Sequence, residues 1–173
     1  MTIRPATFVR TSLQILTLAQ MFGVVLLPLA PALADGIGVA GPRAADLAAD
    51  AVPVTDPAEI KKTLNDLTIY GRYYDGEDWI EYHLADGRSA YFEKGCTHPG
   101  KWWVEGGQVC YAYPDYRGGT PNCFVMFVRP GGGIQFVAFD GQNSPYLASS
   151  STETAHGNSA NLPVSTSSRC LNV

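Results

Sequence analysis

Between residues 68 and 139, large apolar side chains recur at alternate positions, in short runs broken by glycine-bearing turns. A period of two marks strands with one buried face. The pattern predicts seven strands: Thr68–Tyr74, Trp79–Leu84, Ser89–Lys94, Lys101–Glu105, Gln108–Tyr113, Cys123–Val128 and Ile134–Phe139. Asp75-Gly76, Asp86-Gly87, Gly106-Gly107, Gly118-Gly119 and Pro130-Gly131-Gly132-Gly133 lie between them. Short strands joined by such turns read as an antiparallel meander.

Two registers follow from the turns. A two-residue turn at Gly106-Gly107 pairs Val104 with Val109 and Trp102 with Tyr111 on one face, leaving Glu105 and Gln108 on the other. At Ala85-Asp86-Gly87 a three-residue turn pairs Ile80 with Phe92 and Tyr82 with Ala90. Those residues then face the core, and Glu81, His83, Tyr91 and Glu93 face solvent. Phe124, Met126 and Val128 continue the Trp102, Val109 and Tyr111 face.

Upstream the period changes. Ile60, Leu64 and Leu67 share a helical face, with Asp56 as cap, Pro57 at the first turn and Glu59 placed for a capping box. A short helix is expected to end near Leu67. Residues 35–54 are rich in Ala, Gly and Pro and read as a flexible leader. The body is assigned to 55–141. Residues 142–173 form a Ser/Thr-rich tail, weakly structured from Ser149 to Ser168.

The first 34 residues read as an export signal. Arg4 and Arg10 give a basic start, an apolar stretch runs from Leu13 to Leu29, and Ala32-Leu33-Ala34 precedes Asp35 as a small-x-small cleavage pattern. The apolar run is short for a membrane span, so no stable anchor is expected after cleavage. Arg4 and Arg10 are the only charged residues of that stretch, so its removal takes the net charge from −4 to −6. A chain this acidic is a poor partner for nucleic acid.

Export changes the meaning of Cys96, Cys110, Cys123 and Cys170, the four cysteines of the chain. An even number in an oxidising compartment reads as disulfides. Of three possible connectivities, Cys110–Cys123 is favoured, because these residues flank one long hairpin connection; Cys96–Cys170 is its complement. No CxxC or HxxxH spacing supports zinc, and no metal or cofactor is expected.

Other chemistry is thin. Gly131-Gly132-Gly133 lies between strands and reads as a hairpin loop, not a phosphate cradle. No Gly-x-Ser-x-Gly elbow is present. Glu81 with His83 is a candidate acid–base pair. Cys96-Thr97-His98 is better read as a loop disulfide beside an ordinary histidine, and His156 in the tail carries no weight. Aromatic residues are dense from Tyr70 to Phe124, fitting either a packed interior or a ligand site.

The Gly100–Val104 strand, Gly106-Gly107, Cys110-Tyr111-Ala112-Tyr113 and Cys123, preceded by Leu67-Thr68, Trp79–Tyr82 and Asp86-Gly87, form a series. It resembles small exported alphaproteobacterial proteins of unknown function, the DUF995-like group, over residues 57–141. The resemblance implies a lipocalin-like or related small β-barrel and a Cys110–Cys123 bridge, with no catalytic residues to carry over.

The fold expected is therefore mainly β: a short helix, then about seven antiparallel strands forming a small barrel. The function expected is non-enzymatic: a periplasmic or secreted protein binding a small ligand or envelope partner through Trp102, Tyr111 and Phe124, with Tyr116 and Arg117 exposed at the tip of a 114–122 loop. The alternatives are an inhibitor of a secreted protease or lysozyme acting through that loop, and a small hydrolase using Glu81 and His83.

Overall fold

A computed structural model describes residues 47–170. The expected export signal and the leader as far as residue 46 lie outside the described residues. Asp56 caps α1 (Pro57–Leu64), its Oδ1 accepting from the backbone N–H of Ala58 at 2.8 Å and of Glu59 at 3.0 Å. The helix stops before Leu67 because Asn65 is extended and Asp66 takes a φ of 55°, turning the chain into a strand.

Eight strands then run as a meander: β2 (Leu67–Tyr73), β3 (Asp78–His83), β4 (Arg88–Glu93), β5 (Cys96–Glu105), β6 (Gln108–Ala112), β7 (Asn122–Val128), β8 (Ile134–Phe139) and β9 (Pro145–His156). Each pairs antiparallel with the next, and β9 returns to pair with β2 from Leu67↔His156 to Tyr73↔Ser149. The barrel is closed, so its eight strands leave no open edge. The short strand β1 (Val52–Val54) precedes α1 and adds to β7 at 126–128, where β6 no longer covers it. At the other end of the chain, β10 (Arg169–Cys170) adds to the start of β5.

Both hairpin registers are as expected: Trp102↔Tyr111 and Val104↔Val109, and Ile80↔Phe92 and Tyr82↔Ala90. Both disulfides are formed, Cys110–Cys123 across β6 and β7 and Cys96–Cys170 across β5 and β10. Two bridges fit an oxidising, extracytoplasmic environment. Among the described residues, no helix is long and apolar enough to cross a membrane.

Three expectations are corrected. The barrel does not end at 141, because the Ser/Thr-rich stretch supplies β9, whose backbone is paired on both sides by β8 and β2. The last residues of the leader form β1. Most consequentially, the faces of β3 and β4 are inverted: Glu81, His83, Tyr91 and Glu93 point inward, at 4%, 0%, 3% and 2% exposure. Ile80, Tyr82 and Phe92 lie on the half-buried outer face.

Connections in a meander alternate between its ends. At one end sit α1 and the β3–β4, β5–β6 and β7–β8 turns. Here Ile60 and Leu64, both fully buried, join Leu67, Ile69, Trp102, Val109 and Met126 in the core. The opposite end carries the β2–β3, β4–β5, β6–β7 and β8–β9 connections. Between the two, Gly71 on β2 makes room for Trp79 on β3: a Cβ on Gly71 would lie 2.2 Å from the indole.

Candidate functional site

The open end of the barrel leads into a cavity of about 980 Å³. That is the upper part of the range for small-molecule sites. Its walls are aromatic, from Trp79, Tyr91, Tyr111, Tyr113, Phe124 and Phe136 among others, and its floor carries Glu81. Tyr74 and Phe139, 62% and 42% exposed, stand at the mouth.

Alternation along β3 and β6 builds the deepest layer. Glu81 and His83 are two residues apart on β3, and Tyr113, just past the end of β6, is two residues from Tyr111 on that strand, so all four project inward. The Tyr113 hydroxyl donates to Glu81 Oε1 at 2.7 Å. Burial pushes the Glu81 carboxyl up to about 7, opposed by the Tyr113 hydrogen bond and by Ser89. Ser89 Oγ lies close by, although it forms no hydrogen bond of good geometry.

His83 faces the carbonyl of Leu67 with Nδ1, at 3.2 Å, and the Tyr111 hydroxyl with Nε2, at 3.0 Å. A carbonyl only accepts, so Nδ1 carries the proton and Nε2 accepts from Tyr111. Burial lowers the imidazole to about 4, against the opposing Leu67 hydrogen bond, so His83 is neutral at pH 7. Its Nε2 stands 3.9 Å from Glu81 Oε2. The two do not form a charged pair at neutral pH.

Nearer the mouth a second buried carboxylate repeats the motif. Tyr116, from the β6–β7 connection, donates its hydroxyl to Glu93 Oε2. The other oxygen, Glu93 Oε1, has no hydrogen-bond partner. The Lys94 ammonium, on an exposed side chain, lies 3.8 Å from it and 2.7 Å from Glu77 Oε2. The indole N–H of Trp79, in the cavity wall, also lacks a partner. Tyr73 and Tyr91 share a hydrogen bond between their hydroxyls at 2.8 Å. Burial raises the hydroxyls of Tyr91, Tyr111 and Tyr113 well above the ordinary phenol range, so they remain protonated.

The C-terminal segment is fastened at this rim. The Tyr116 ring stacks on His98 with centroids 4.4 Å apart. His98 Nδ1 lies 3.0 Å from Ser168 Oγ, and the Ser168 N–H donates to Asp115 Oδ2 at 3.2 Å. The Cys96–Cys170 bridge lies two residues from His98 and two from Ser168. His98 is lowered by burial, with Glu93 and Asp115 opposing. It belongs to strand β5, not to a loop.

The expected ligand residues are therefore only partly brought together. Tyr111, Phe124 and Tyr116 line the cavity. Trp102 does not: it packs at the closed end, donating Nε1–H to Leu84 O at 2.9 Å with its ring edge-on to His83. Tyr116 is not exposed at a loop tip, because its hydroxyl is drawn inward by Glu93. Arg117 opens the 3-10 turn Arg117–Gly119. Glu81, Glu93, Trp79, Tyr91 and Tyr113 were not among the expected ligand residues.

No family model, curated protein or solved structure matches the chain.

Proposed function

We propose that this chain is a non-enzymatic binding protein, periplasmic or secreted, that takes a small ligand into the open end of its barrel. One observation carries this reading: a cavity of about 980 Å³ into which a closed barrel turns buried polar groups, with Trp79 Nε1 and Glu93 Oε1 lacking hydrogen-bond partners from the protein. Buried polar atoms left unpaired cost on the order of 1–3 kcal/mol each. A ligand that pairs them recovers that cost on binding. The lipocalin-like resemblance agrees with this reading in architecture.

The hydrolase alternative has one supporting contact, the 3.9 Å approach of Glu81 to His83. It is the weaker reading because both His83 nitrogens are already bonded and the side chain is fully buried. The inhibitor alternative is weakened by the inward turn of Tyr116. Native mass spectrometry of the purified, disulfide-intact chain tests the proposal. A retained small molecule, released on denaturation, is expected. An empty protein that also binds none of the probes named below would overturn it.

A further inference from the structure

We infer that the ligand is a small organic cation, an ammonium whose apolar body packs against the aromatic wall and whose charge lies between Glu81 and Glu93. The inference rests on the binding proposal above and names its ligand class.

Three independent features converge. The first is charge. Five carboxylates, Asp75, Glu77, Glu81, Glu93 and Asp140, belong to the cavity lining, and no lysine, arginine or histidine does. A concave site with one sign of charge and apolar walls focuses its field on a counter-ion. The second is the wall itself. Tyrosine, tryptophan and phenylalanine present electron-rich faces, and cations bind such faces with about 0.5–2 kcal/mol per contact. Tyr91 and Tyr113, with ring centroids 4.9 Å apart, form one such wall beside Glu81.

The third is the pairing of the acids. Each buried carboxylate has one oxygen held by a tyrosine hydroxyl, Tyr113 for Glu81 and Tyr116 for Glu93. That fixes both carboxylates. Glu93, 98% buried, keeps its second oxygen without a hydrogen-bond donor. Buried charge of this kind is costly unless closely paired, and the nearest cation, the exposed Lys94 ammonium, stands 3.8 Å from it while bonding Glu77 at 2.7 Å. The Lys94 ammonium beside Glu77 shows that the mouth already accommodates such a group from outside. The unpartnered Trp79 N–H adds a donor, so an oxygen on the ligand would also be satisfied.

Three probes of one shape separate the possibilities: phenethylamine, 2-phenylethanol and phenylacetate, titrated by calorimetry into the disulfide-intact chain at pH 8. The amine is expected to bind at least tenfold more tightly than the alcohol, and the acid not measurably. Glu81→Gln with Glu93→Gln should weaken the amine at least tenfold and leave the alcohol unchanged; the unchanged alcohol also shows that the variant is folded. Equal binding of amine and alcohol, or tighter binding of the acid, would overturn the cation inference and leave the binding proposal standing. So would a neutral or anionic molecule recovered from the native protein. A recovered amine supports the inference even if phenethylamine itself is too small to hold. Failure of all three probes together with an empty protein would remove both proposals.

Discussion

Tyr113 donates its hydroxyl proton to Glu81 at 2.7 Å in the interior of the barrel, on the carboxylate whose other oxygen faces His83 at 3.9 Å. The carboxyl is raised to about 7 and the imidazole lowered to about 4, both by burial. Between about pH 4.5 and 6.5 the folded protein keeps a proton on Glu81 and none on His83, the reverse of the unfolded chain.

That reversal fixes the pH dependence of stability. Glu81 binds more proton when folded, so its contribution is present at low pH and is lost as pH rises from about 4.5 to about 7. His83 binds less, so its contribution is lost as pH falls from about 6.5 to about 4. The two slopes oppose one another over most of this range. Glu81→Gln should therefore expose a stability that rises with pH, and His83→Gln one that falls, each by about 1.4 kcal/mol per pH unit. Denaturant unfolding from pH 4 to pH 8 measures both. Parallel curves for the two variants would contradict this account.

Tyr113→Phe removes a hydrogen bond that favours the charged carboxylate. The Glu81 carboxyl should move further upward from about 7. Carbon-detected NMR titration of the glutamate carboxyls reads this directly, and a downward movement would show that Tyr113 does not act as the donor.

Gly71→Ala would place a methyl group 2.2 Å from the Trp79 ring. Forcing a methyl group into so close a contact costs about 1–3 kcal/mol. A lowered melting temperature with a shifted tryptophan emission is the expected outcome. An unchanged protein would mean that the indole is not seated over Gly71.

The bridges should separate by effect. Removing Cys110–Cys123 with paired alanines should lower unfolding free energy by about 3 kcal/mol. Removing Cys96–Cys170 should also release the rim contacts of Ser168. Hydrogen exchange across residues 165–170 should then rise while the barrel strands stay protected. Protection that persists there would place the anchoring in the Ser168 hydrogen bonds alone.

The sequence predicts the hairpins better than the direction they face. Turn chemistry at 85–87 and 106–107 sets the register, and the pairs follow. Choosing the inner face of β3 by apolarity fails because this interior holds polar groups: Glu81 and His83 are held by tyrosines, while Ile80, Tyr82 and Phe92 lie on the half-buried outer face. The correct face was nevertheless recoverable. Lys94-Gly95, with φ of 50° and 79°, is a two-residue turn pairing Glu93 with Cys96 and hence Tyr91 with His98. His98 shares its face with Trp102, already assigned inward, and carries Tyr91 and Glu81 with it. Strand β9 was hidden for another reason. Its serines and threonines lack a strong apolar alternation, and its place comes from two neighbouring backbones whose positions depend on closing the barrel.

The Cys96–Cys170 bond has a topological consequence. It joins β5 through β10 into one covalent ring, within which the Cys110–Cys123 bond closes a smaller one; α1 and β2–β4 form a linear arm outside both. A protease cut within the ring, in the β6–β7 or β8–β9 connection, opens a circle and sheds no fragment until the bonds are reduced. A cut in the β3–β4 turn divides the molecule, and only non-covalent contacts, the strand pairing and the shared core, then hold α1, β2 and β3 to the rest.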